Sequence, residues 1–207
     1  MKTNVYVDGF NLYYGCLKNT PYRWLDLAQL CRLMLPQDTI HRIRYFTARV
    51  SARPSDPDQP IRQQTYLRAL ETIPNLTIAY GSFLTHAVPM PVANRAPGQP
   101  ATVSVMRTTE KGSDVNLATY LLFDAFRNDC DMAVIVSNDS DLREPVRIVT
   151  QHLGRPIGIL NPHRHPSKEL VRFATFVKQI RKGVLAVSQF PVELTDSRGT
   201  FRKPPSW

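Results

Sequence analysis

The chain has 207 residues, enough to bury the core of one α/β domain with an appendage but short for two. Hydrophobic residues at 43% and charged residues at 21% exclude wholesale disorder, and no run approaches the roughly 18 apolar residues of a membrane span. Lys and Arg number 26 against 17 Asp and Glu, a net charge of +9 that favours a polyanionic partner, although a solvated basic surface with no partner has the same composition.

In chain order, residues 3–7 predict a first strand, left through the turn Asp8-Gly9-Phe10-Asn11. Residues 26–34 place Leu27, Leu30, Cys31 and Met34 on one helical face, and Pro36 ends the helix. Residues 40–50 form a second strand carrying Arg42, Arg44 and Arg49; a loop over 54–60 opens a helix over 59–72. A third strand is expected over 76–84, with Gly81 as a bulge inside it. Pro89, Pro91, Pro97 and Pro100 then exclude helix and central strand, so residues from about 85 to 107 read as an inserted hairpin or flap.

Val115, Ala118, Leu121, Leu122, Ala125 and Phe126 recur at helical spacing, with Asp114 in the first turn of that helix. Residues 132–136 are five uninterrupted apolar positions, the mark of a strand buried on both faces, and they run into Ser137-Asn138-Asp139-Ser140-Asp141. A helix over 142–153 stops at Gly154, and a fifth strand over 156–160 leads to a loop holding His163, Arg164 and His165. Residues 167–181 predict an amphipathic helix with Leu170, Phe173, Ala174 and Val177 inward. Periodicity is lost after Gly183, and residues 183–207 are expected to be a tail. Alternating strands and helices imply a parallel sheet covered on both faces, with one domain over 1–182. Cys16, Cys31 and Cys130 are odd in number and lack C-x-x-C spacing, so they read as reduced thiols in an intracellular, cytoplasmic protein.

The chemistry follows from where the acids fall. Asp8, Asp114, Asp139 and Asp141 each sit at a strand's C-terminal end or a helix's N-terminal end, the edge at which open α/β sheets bind ligands. Gathered carboxylates repel one another unless a cation joins them, and Mg²⁺ or Mn²⁺ asks for oxygen ligands of this kind. Each acid also has a plain local role. Asp141 with Glu144 fits a capping box, Asp139 an Asx-turn, Asp114 the helix dipole, Asp8-Gly9 a turn and Asn11 a helix cap. Lys111, a cation before a helix N-terminus, fits a role on phosphate charge better than a structural one. The P-loop, dinucleotide-binding and nucleophile-elbow patterns are absent.

Val5-Tyr6-Val7-Asp8-Gly9-Phe10-Asn11, Glu110-Lys111-Gly112-Ser113-Asp114-Val115-Asn116-Leu117-Ala118 and Val134-Ile135-Val136-Ser137-Asn138-Asp139-Ser140-Asp141, in that order, resemble the NYN domain family, a branch of the PIN-like nucleases, over residues 3–182. The resemblance implies a three-layer Rossmann-like sheet of order 3-2-1-4-5 and a Mg²⁺- or Mn²⁺-dependent ribonuclease. Its acidic positions fall on Asp8, Asp114, Asp139 and Asp141, with Asn11 beside them. Some bacterial relatives carry paired cysteines in the inserted hairpin, and here that segment has none.

On this basis the expected activity is hydrolysis of RNA, single-stranded rather than duplex, with no membrane partner and with self-association permitted. Asp8, Asn11, Asp114, Asp139, Asp141 and Lys111 would form the catalytic set, and Arg42, Arg44, Arg49, Arg53, Arg107, His163, Arg164 and His165 the RNA contacts. A module that binds RNA or a protein without cutting is the rival. A phosphatase ranks lower, because a second carboxylate two residues after the first is missing: Asp8 is followed there by Phe10.

Overall fold

The structure, a computed structural model, describes residues 1–207. The apolar run Val5-Tyr6-Val7 lies within β1 (Lys2–Asp8), which is buried at six of its seven positions and so needs cover on both faces. Side-chain alternation sends Val5 and Val7 into one core, with α1 (Gly9–Leu12), α2 (Leu27–Met34) and α3 (Gln59–Glu71), and Tyr6 into another, with α4 (Ser113–Phe126) and α5 (Arg143–Arg147). Each fully buried Leu or Val contributes on the order of 2 kcal/mol to such cores.

Around β1 run β2 (Thr39–Thr47), β3 (Leu76–Tyr80), β6 (Met132–Val136), β7 (Ile157–Asn161) and β8 (Phe176–Gln179), all parallel, in the order β3-β2-β1-β6-β7-β8. Leaving the hairpin aside, this is the expected 3-2-1-4-5 order with one more strand at the end. The hairpin, β4 (Ser82–Pro91) and β5 (Thr102–Lys111), forms an antiparallel sheet of its own.

Three expectations need correction. The strand over 76–84 is two strands, and Gly81 is the break between sheet and hairpin rather than a bulge. A side chain there would come within 2.6 Å of the Lys111 carbonyl oxygen. The helix over 167–181 is only α6 (Lys168–Val171), and 176–179 become β8. Val177 and Phe176 favour a strand, and the sheet edge offers partners: the Thr175 N–H donates to the Ile157 carbonyl (2.7 Å) and the Ile180 N–H to that of Asn161 (2.9 Å). Residues 183–207 are folded, as α7 (Lys182–Val187) and the hairpin β9 (Glu193–Asp196) and β10 (Gly199–Arg202). Fully buried Trp24 holds them, its ring centroid 5.8–6.5 Å from those of Phe190, Phe201 and Trp207 and its indole N–H donating to the Pro191 carbonyl. The three cysteines are free thiols, and no helix is long and apolar enough to cross a membrane.

Candidate metal centre

Val7 pairs with Val136, so β1 and β6 leave the sheet side by side and deliver Asp8 and Asp139 to the same edge. The third carboxylate comes from across the chain. Gly112, at a φ of 98° that suits glycine, turns β5 into α4 and sets Asp114 in the first helical turn. One carboxylate oxygen from each of Asp8, Asp114 and Asp139 lies within 4.8 Å of the other two.

A chain of hydrogen bonds holds two of these acids in place. The Ser137 hydroxyl donates to Asp8 Oδ2 (2.9 Å) and accepts from the Asp139 N–H (3.1 Å), while Asp8 Oδ1 accepts from the Asn11 N–H (2.9 Å). Asn11 Oδ1 accepts from the Asn138 N–H (2.9 Å), which ties the two turns together and leaves the Asn11 amino group for the cleft. The Asn138 side chain reaches the next loop, donating to the His165 carbonyl and accepting from the Ser167 N–H.

Electrostatics set the trio apart. Burial raises the Asp8 carboxyl above its ordinary range, and the neighbouring Asp139 charge adds to this, against the lowering effect of the Asn11 and Ser137 bonds. Partial burial and then the charges of Asp8, Asp139, Glu110 and Asp141 push Asp114 up to about 6. Neither group is in a salt bridge, and no lysine or arginine is among the main influences on either. Three hard oxygen donors that strain against their own charge fit a divalent Mg²⁺ or Mn²⁺ ion.

Of the other expected site residues, Asn11, Arg53 and His163 line the same cleft, which encloses about 360 Å³. Asp141 stands outside the trio, exposed, with its backbone N–H donating to Asp139 Oδ1 (3.0 Å). The Asp141 and Glu144 capping box does not form, because Asp139 is the cap and Glu144 pairs with Arg147. Lys111 does not line the cleft. Strand alternation turns it away from the side on which Glu110 faces the acids, and Glu110 Oε1 accepts the Ser113 N–H that opens α4 (3.1 Å).

Arg44 is not an RNA contact. It is buried and holds Asp124 through two bonds of 2.8 and 2.9 Å. Arg42 is also displaced: it pairs with Asp129 and aligns with Asn4, four residues before Asp8, so about 13 Å from the active edge. Arg49 lies over the Tyr80 ring at 5.1 Å, Arg107 sits opposite His86 on the hairpin, and Arg164 and His165 are exposed on the loop after β7. Sequence reasoning missed Ser137, Glu110 and the cleft aromatics Phe10, Tyr14 and Phe83. Ser137 alone carried a signal, as the first polar residue after the buried strand.

Comparison with known proteins adds three findings. The model of the NYN domain matches residues 2–180. The whole chain aligns over 237 positions, at 30% identity, with the 6-hydroxy-3-succinoylpyridine 3-monooxygenase HspA of Pseudomonas putida, covering 75% of that protein. A protein of unknown function from Vibrio parahaemolyticus has a crystal structure that superposes with a TM-score of 0.57 at 18% identity, over 87% of this chain and 94% of that one, and so shares the fold.

Proposed function

The chain belongs to the NYN domain family, and from that premise we propose that it is a metal-dependent ribonuclease hydrolysing phosphodiester bonds of single-stranded RNA in the carboxylate cleft. One observation carries the reading: three carboxylates from three separate elements meet within 4.8 Å, and none of them is in a salt bridge. Asp8, Asp114 and Asp139 would hold Mg²⁺ or Mn²⁺, which when bound supplies Lewis acidity toward phosphate and makes water acidic enough to act near neutral pH.

The chain's own groups do the rest. Ser137 and the Asn11 N–H fix the Asp8 carboxylate, so its orientation does not depend on the substrate. Asn11 has its carbonyl oxygen committed to Asn138 and turns its amino group to a non-bridging phosphate oxygen. Arg53, engaged in no ion pair, offers a planar fork to the next phosphate. Phe10 and Phe83 meet edge to face at 5.8 Å, closing the flap onto the cleft and displacing water there.

Labelled RNA incubated with the protein and Mn²⁺ or Mg²⁺ is cut, and Asp139→Asn slows cutting roughly 100- to 1000-fold. Cleavage that survives the substitution or excess chelator overturns the mechanism. RNA retained on a filter without cleavage, with a steep salt slope, identifies a binding module instead. A second reading takes its chemistry from the relative's name and its plausibility from an aromatic cavity that adjoins the cleft. Incorporation of one labelled oxygen from O₂ at ring carbon 3 of 6-hydroxy-3-succinoylpyridine, with departure of the side chain from that carbon and a reductant supplied, would establish that oxygenation.

A further inference from the structure

Next to the carboxylate cleft is a second cavity of about 350 Å³, which shares Phe10, Tyr14 and Arg53 with it. That volume lies in the range of small-ligand sites. Its character is the reverse of the cleft's. Rings of Tyr13, Tyr66 and Trp207 line it, and its one carboxylate, Asp56, is already paired with Arg62. Tyr45, at 7% exposure, is nine-tenths buried; it lines this cavity beside Gly9, and its hydroxyl makes no hydrogen bond within the chain. Nothing in the chain competes for this hydroxyl, so it is free to donate to or accept from a polar ligand atom in place of water. Thr47, two residues along β2 and on the same face, lines the floor beside it.

We propose that this cavity is a base subsite. It takes the planar nucleobase of the nucleotide next to the phosphate in the cleft, stacked among the aromatic walls and hydrogen-bonded to Tyr45, with Arg53 on the phosphate between the two cavities. The proposal rests on the ribonuclease reading above. Aromatic walls suit any base, since every base has a stacking face, and the unpaired hydroxyl offers a bond to a base edge with a donor or acceptor.

The test compares fluorescein-labelled hexauridylate with an abasic ribose-phosphate hexamer by anisotropy, in chelator, so that nothing is cut. Repulsion by the carboxylates acts on both probes equally. Hexauridylate binds at least about ten-fold tighter. Tyr14→Ala weakens it about ten-fold and Tyr45→Phe about three- to ten-fold, while the abasic probe is unaffected. Equal affinity for the two probes, no binding of either, or unchanged hexauridylate affinity in both variants overturns the subsite. Base-dependent binding by a protein that never cuts removes the ribonuclease reading and leaves the subsite; cleavage with base-independent binding does the reverse.

Discussion

Helix α4 carries an aspartate at each end, and the two live in opposite surroundings. Asp124, in the last turn, is buried, yet it receives two bonds from Arg44 and one from the Tyr6 hydroxyl (2.9 Å), and the Arg44 guanidinium lies 4.4 Å from the Tyr120 ring centre. Asp114, in the first turn, faces Asp8, Asp139, Glu110 and Asp141. A structural acid comes with its counter-charge built into the fold. The cleft acids lack one, which leaves a cation from outside as the natural complement.

That contrast can be broken most severely at the satisfied end. Asp124→Asn strands the Arg44 charge in the core and should cost about 3–5 kcal/mol, read as a lower urea midpoint. Adding Arg44→Met to it should recover part of the loss, since it removes the charge that the first change leaves unpaired.

The strained end should respond with the opposite sign. The folded value of Asp114, about 6, lies above the unfolded reference of about 3.9, so the charged form opposes folding. The penalty is complete above pH 6, shrinks as pH falls through 6 and is gone below about 4. In chelator, Asp114→Asn therefore raises the melting temperature at pH 7.5. The residue is more than a third exposed, so solvent screening limits the gain to roughly 1–3 °C, and it disappears near pH 4. With Mn²⁺ at pH 7.5 the wild type becomes the more stable of the two, measured by thermal shift. The smallest effects belong to the acid and the base that the fold leaves out. Asp141→Asn and Lys111→Ala should each hold RNA cleavage within about three-fold of wild type, since only a screened charge is lost.

The middle of the sheet was legible because β1 and β6 carry uninterrupted apolar runs, and the Asp8 and Asp139 endings followed from them. What remained hidden depends on tertiary partners. Residues 176–179 carry a helical pattern until a bare edge at β7 claims them as a strand. Arg44 looks like any strand arginine until Asp124, eighty residues on, is seen beside it. Lys111 and Glu110 differ by one position, and only the hairpin's pairing register decides which of them meets the acids. The fold of residues 183–207 has no periodic signature, because aromatic contacts with Trp24 organise it.

Gly81 and Glu110 give the flap a mechanical meaning. The hairpin leaves the sheet at Gly81, which packs against Glu110, and returns through Lys111 straight into the turn at Gly112 that launches Asp114. The foot of the flap and the seat of the third carboxylate thus share the same few residues. A side chain placed at position 81 is expected to disturb both at once, since it would press on Glu110 and on the backbone that leads into the Gly112 turn.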